Sequence, residues 1–300
     1  MYLLKPVQPY CFALSLKRLT DMPRQVVARV EPGPVYVRAL EMEGRLGMIR
    51  VWQQGEDLAV EIEGDLRPES VLAAVRRAFH LDLDLLAFSR HMDQADPVMA
   101  NLARTYRGAK PIAPFSPWEA LAWAIISQQV SVAFAFRLLE RLVSLTGISY
   151  KGLPVFPGPE AVAALRREQL QAVQYSRQKA EYLIDTARAI VDGRLDLPAL
   201  TALPYPAAVA ELTRLRGVGR WTAECVLMDA GVPEAFPAED IGLRNAVRRF
   251  YGLPHQPTAA EVRRLGERWM PYRALACYYL WLALLDPEQR GGKTDALPDR

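Results

Sequence analysis

The chain has 300 residues, 51% of them hydrophobic and 24% charged, with a net charge of +3. That is ordinary for a globular protein of roughly two domains, and no apolar run reaches the roughly 18 residues of a membrane span. Three scattered cysteines (Cys11, Cys225, Cys277) and 3 histidines exclude a disulfide framework, show no metal-ligand spacing and are too few for a four-cysteine iron–sulfur cluster. Residues 1–6 show no charged region leading into an apolar run and a cleavage site, so no export signal is expected and the protein is expected in the cytoplasm. The small positive charge is compatible with nucleic acid, but equally with enzymes that never meet it.

In chain order, residues 10–14, 35–40, 46–51 and 58–62 read as short strands rich in β-branched and aromatic residues. Gly33-Pro34, Glu43-Gly44 and Gln54-Gly55-Glu56 punctuate them as turns. An amphipathic helix follows over 68–79, with Val71, Leu72, Val75 and Phe79 on one stripe. Residues 1–110 therefore read as a small α+β domain. The proline-rich stretch 111–117 is a junction. Beyond it, 111–287 is helical in period: a helix pair over 118–146 with Ser116 as N-cap and Pro117 in the first turn, then helices over 159–165, 168–173, 178–192, 205–215, 221–231, 241–251, 259–269 and 273–285. The polar tail 288–300 is expected to be disordered. The predicted class is α+β, an N-terminal antiparallel sheet-and-helix domain before a mainly α-helical core, and no internal repeat is evident.

The stretch Leu215-Arg216-Gly217-Val218-Gly219-Arg220-Trp221-Thr222-Ala223 joins two of these helices. Glycines in so short a turn open backbone conformations closed to other residues and remove side chains that would block close approach. The next helix then offers unpaired N–H groups and its positive dipole end. That suits one phosphate of a DNA backbone, without sequence preference. A tight turn with no ligand explains Gly-x-Gly alone equally well, and Val218 could either pack back or touch the sugar. The second helix leads to Phe236-Pro237-Ala238-Glu239-Asp240-Ile241-Gly242-Leu243-Arg244. Asp240 stands where an N-cap is expected.

Leu-x-Gly-Val-Gly-x-x-Thr-Ala followed by Pro-x-x-Asp resembles the helix-hairpin-helix DNA glycosylases, and within them the DNA-3-methyladenine glycosylase II family, which repairs alkylated bases. The residues 116–121 and 126–133, 156–160, 176–183, and 268–274 with 279–281 resemble further stretches of that family. The likeness spans about 9–286, loosely in the N-terminal part. It implies a monofunctional enzyme that flips an alkylated base (3-methyladenine or 7-methylguanine type) out of duplex DNA and hydrolyses its N-glycosidic bond, acting as a monomer with no required cofactor. Asp240 would be the catalytic carboxylate, stabilising oxocarbenium character or orienting water. Glu239 would be solvated.

Bifunctional relatives carry a lysine where this chain has Trp221, and indole cannot form a Schiff base. The resemblance places Trp221, Tyr272, Cys225 and Ile241 around the base. It places Gly217, Val218, Gly219, Arg220, Thr222 and Arg244 against DNA, Gln129 in the vacated stack, and backbone carbonyls of Thr213, Leu215 and Val218 around a structural cation. Core packing remains an alternative for Trp221, and inter-helix hydrogen bonding for the 128–129 glutamines. Trp52, Trp123 and Trp281 read as core. A non-enzymatic hairpin DNA-binding protein and an oxidised-base or mismatch glycosylase remain competing readings.

Overall fold

A computed structural model describes residues 1–21 and 26–286. The tail expected to be disordered, 288–300, lies outside the described residues. β1 (Tyr2–Leu4), α1 (Phe12–Thr20), β2 (Ala28–Glu31), β3 (Val35–Met42), β4 (Arg45–Gln54), β5 (Asp57–Gly64) and α2 (Pro68–Ala78) form the first layer. The strands make one antiparallel sheet in the order β1-β5-β4-β3-β2. In register, Val51 faces both Tyr36 and Val60. These residues turn to α1 and α2, whose Phe12, Leu16, Val71 and Val75 complete a core. Successive strand residues alternate faces, so Val37 and Ala39 point the other way, onto Leu153 and Val155.

The turns and strands read from 35–62 stand where expected, but 10–14 does not form a strand. Phe12, Ser15 and Leu16 are buried on one face of α1, a helical spacing that so short an apolar run cannot be assigned from its own residues.

α3 (Leu85–Ala95) and α4 (Pro97–Thr105), capped by Asp84 and Asp96, follow without having been expected. Phe88, Met99 and Leu102 share a core with Phe236, Trp269 and Tyr279 near the other end of the chain. Residue 110 is therefore not a division between hydrophobic cores, because α3 and α4 bury their apolar faces on the last helices rather than on the sheet. Asp96 ties the join: its carboxylate caps α4 and accepts from Tyr251 Oη at 2.8 Å and Trp269 Nε1 at 3.1 Å.

The remaining helices are α5 (Pro117–Ser127), α6 (Val132–Thr146), α7 (Pro159–Ala163), α8 (Arg167–Ala172), α9 (Arg177–Val191), α10 (Leu197–Thr201), α11 (Tyr205–Leu212), α12 (Arg220–Asp229), α13 (Ile241–Phe250), α14 (Ala259–Gly266) and α15 (Arg273–Leu285). Ser116 caps α5 through Glu119 N at 3.1 Å, with Pro117 in its first turn. Two-residue strands β6 (Ser149–Tyr150) and β7 (Leu153–Pro154) link α6 to α7 and cover the outer face of β3. The sheet is tied to α5 by a buried ion pair, Arg38 Nη2 to Glu119 Oε2 at 2.7 Å. No helix among the described residues is long and apolar enough to cross a membrane.

Candidate active site and nucleic-acid interface

Residues 213–219 turn α11 into α12. Gly217 adopts φ +83°, and a Cβ there would lie 2.2 Å from the Tyr182 ring of α9. Both the conformation and the space require glycine. Gly219 has an ordinary φ of −84° and caps α12. No described protein atom approaches the position its Cβ would take within 4 Å. The first N–H groups of α12 are therefore left accessible to an incoming oxyanion. Val218 is buried and packs back into the hairpin. Thr222 is also buried, its hydroxyl accepting from Gln128 Nε2 at 2.9 Å, so its side chain serves the fold and not a DNA surface.

The consecutive glutamines divide two tasks. Gln128 also donates to the carbonyl of Gly217 at 2.9 Å, locking the α5–α6 turn to the hairpin. Gln129 is exposed in a left-handed conformation, φ +54°. Beneath that turn, Lys179 Nζ donates to the carbonyl of Ile126 at 2.6 Å. Burial pulls its ammonium down to about 8. Since burial disfavours the charged form, the penalty on folding is complete below about pH 8 and fades as pH rises toward the ordinary lysine range near 10.5. Lys179→Met is therefore expected to gain stability over the wild type most at neutral pH and progressively less above pH 8. Melting temperatures of both proteins across that range would check it, and a gain that grows with pH would refute it.

Asp240 sits half-buried as the N-cap of α13, and both its oxygens are held. Oδ1 accepts from Leu243 N at 2.8 Å and Trp281 Nε1 at 3.2 Å, and Oδ2 from Trp221 Nε1 at 3.3 Å. Three N–H donors on one carboxylate restrict it to a single orientation. Trp281, read from sequence as core, instead holds Asp240 from α15. Its ring carries the guanidinium of Arg18 at 4.7 Å, a contribution from α1 of the sheet layer. Sequence offered no sign of this, because the pair is separated by most of the chain.

Gly242 makes the arrangement fit: a Cβ there would lie 3.0 Å from Asp240 Oδ1 and 3.5 Å from Trp281 Nε1. Gly242→Ala is expected to tilt the carboxylate and lower turnover about tenfold, since small misplacements at a reacting centre are costly. Wild-type turnover by that variant would show that the fit is not tight.

The two indoles line a cleft of about 1780 Å³ between the sheet layer and the helices. Tyr272, Cys225 and Ile241 line it too. Tyr272 is braced edge-on by Phe88 at 5.9 Å, Cys225 has its thiol pushed up by burial, and Ile241 is exposed beside Asp240. Gln129, Gly217 and Gly219 border the same cleft.

Two arginines expected at DNA are engaged elsewhere. Arg244 Nε donates to the carbonyl of Pro257 at 2.6 Å, bracing the loop before α14. Arg220 Nε bonds Glu224 at 2.9 Å, although half its side chain stays in solvent. Glu224 is fully buried and was not anticipated. It also accepts from Tyr205 Oη at 2.8 Å and from both terminal nitrogens of Arg263, at 2.9 and 3.1 Å. Arg263 continues to Glu239 at 2.8 Å, next to Asp240. One carboxylate thus couples the hairpin helix to the Asp240 loop. Glu239, expected to be solvated, is exposed but paired.

Residues 122–272 match the family model described as HhH-GPD superfamily base excision DNA repair protein. The chain is 32% identical over 240 residues to the DNA-3-methyladenine glycosylase of Bacillus subtilis, covering 76% of this chain and 79% of that protein. Among solved structures, the 3-methyladenine DNA glycosylase from Archaeoglobus fulgidus superposes with a TM-score of 0.82 at 28% identity, over 94% of this chain and 97% of that one. The Schizosaccharomyces pombe 3-methyladenine DNA glycosylase in complex with abasic DNA superposes with a TM-score of 0.58 at 28% identity, over 66% and 96%. A glycine hairpin, a carboxylate held by two indoles and a cleft between them thus coincide with these matches, and the chain belongs to the HhH-GPD superfamily of base excision DNA repair proteins.

Proposed function

We propose that this protein is a monofunctional DNA glycosylase that releases alkylated bases of the 3-methyladenine and 7-methylguanine type from duplex DNA. The observation that carries the reading is the Asp240 carboxylate, fixed by Trp221 and Trp281 on the wall of a cleft that the hairpin borders. A base within a duplex is out of reach, so the nucleotide must be everted, at a cost of a few kcal/mol. Hairpin N–H groups hold the backbone, and Gln129, exposed on its tight turn, fills the hole left in the stack.

Alkylation at a ring nitrogen makes the base cationic. Its attraction to an indole face contributes about 0.5–2 kcal/mol, and the charge weakens the glycosidic bond. As that bond breaks, positive charge grows on the sugar, and a carboxylate already in position stabilises it without reorganising. The same carboxylate would orient the attacking water, whose oxygen bonds to the anomeric carbon while the base leaves with the electron pair. Trp221, where a bifunctional enzyme needs an amine, leaves no route to a Schiff base.

The donor set at the hairpin suits a hard cation: carbonyls of Thr213, Leu215 and Val218 are oxygen ligands. Leu215 O is shared with Val218 N at 3.0 Å, while those of Thr213 and Val218 accept no hydrogen bond among the described residues. A cation there would add positive charge for a DNA phosphate and no chemical step.

The test is a release assay on methylated duplex DNA with the purified chain. Free 3-methyladenine or 7-methylguanine should appear, leaving intact abasic strands and no borohydride-trapped protein. Salt-sensitive DNA binding with no abasic sites would reduce the protein to a binding module, and trapping would assign it to the lyase class.

A further inference from the structure

α12 turns one face to the cleft. Trp221, Cys225, Met228 and Asp229 follow one another at helical spacing, and all four line the cavity. Trp221 is at the Asp240 end. Asp229 lies eight residues on, about 12 Å along the axis, and helical side chains lean back toward the N-terminus. A sugar placed at Asp240 with its purine over Cys225 would turn the far edge of the base toward Asp229. The Asp229 carboxyl is half-buried on the cleft wall and has no hydrogen bond or ion pair with any described residue, so both its oxygens are left to a ligand.

We infer that Asp229 reads the hydrogen-bonding edge of the everted purine and decides which alkylated purine is released. The inference rests on the glycosylase reading. Ionised, its two oxygens complement the adjacent N1–H and amino N–H of a guanine-type edge. Protonated, it presents one donor and one acceptor, matching N1 and the amino group of an adenine-type edge.

Both forms are accessible near neutral pH. Burial pushes the carboxyl up to about 7, with Glu119 of α5 reinforcing and Arg18 of α1 opposing. Of the other ionisable groups lining the cavity nearby, Cys225 of α12 has its thiol pushed up by burial, in part by Asp229 itself, and Tyr278 of α15 is likewise pushed up. His80, after α2, has its imidazole held below the usual range by burial. Glu119 is itself held by Arg38 at 2.7 Å.

The experiment compares the full chain with Asp229→Asn in single-turnover release of 7-methylguanine and 3-methyladenine from the same methylated duplex, at about one pH unit below and above the carboxyl's titration near 7. The wild-type ratio of guanine-type to adenine-type release is expected to rise about tenfold across that interval, as one edge is gained and the other lost. For Asp229→Asn the ratio should stay constant, apart from any change in the DNA itself, which acts on both proteins alike. As a readout independent of any variant, free 7-methylguanine and 3-methyladenine would be titrated against wild-type tryptophan fluorescence at both pH values, and their order of affinity should reverse. A variant with the wild-type ratio at both pH values, or an unchanged order of affinity, overturns the inference and leaves the glycosylase reading standing. A wild type that releases neither base overturns both.

Discussion

Asp240→Asn should reduce base release by about 10²–10³-fold in single-turnover assays, the loss typical of removing one preorganised electrostatic contact to a transition state. The substitution isolates charge. Asparagine caps helices as well as aspartate, so the bond from Leu243 N at 2.8 Å has an acceptor in the variant. Its amide oxygen also serves the Trp281 N–H on the same side. The amide nitrogen replaces Oδ2, which accepts from Trp221 Nε1 at 3.3 Å, so two donors would face each other there. Melting temperature and affinity for duplex DNA should stay near wild type while the chemical step collapses. Asp240→Ala would add the loss of the cap, about 1 kcal/mol. Release by Asp240→Asn within about threefold of wild type, far less than the roughly 10²–10⁴-fold loss expected of an acid–base group, would remove Asp240 from the chemistry and with it the proposed mechanism.

Glu224→Ala should lower stability by about 3–5 kcal/mol, the cost of breaking a buried charge network by removing one member. Glu224 is fully buried and satisfies Tyr205, Arg220 and Arg263 together. Its removal leaves Arg263, only a quarter exposed, with Glu239 as its remaining partner. Burial, with the Glu224 carboxylate beside it, holds the Tyr205 hydroxyl up at about 12, so the hydroxyl stays protonated and loses its acceptor in the variant. Since Arg263 reaches the residue before Asp240, turnover should fall as well, even at temperatures where the variant is folded. Denaturant titration gives the first quantity and single-turnover release the second. A variant that is destabilised yet releases bases at the wild-type rate would show that the network supports the fold without setting the Asp240 loop.

What was legible in the sequence was whatever short-range chemistry controls. The hairpin could be read because only glycine tolerates the conformation at Gly217, and the order of residues about it is local. Asp240 could be placed as a cap because caps stand at helix starts. The helices from 117 onward follow a 3.6-residue period with proline and serine at their beginnings. Tertiary structure decided the rest, because it depends on which distant surfaces meet. Residues 10–14 are apolar enough for strand or helix, and only the sheet they pack against selected the helix. Residues 85–105 fall within the 1–110 unit by proximity in sequence, yet α3 and α4 share a core with α13 and α15. Gln128 and Gln129 are identical residues in adjacent positions, and the hairpin alone determined which is spent inside. Trp281, Arg18 and Asp229 come together on the cleft wall, and Glu224 gathers its partners behind the Asp240 loop, only because segments distant in sequence pack together. A linear string carries no record of such contacts, since packing and charge pairing act through space and not along the chain.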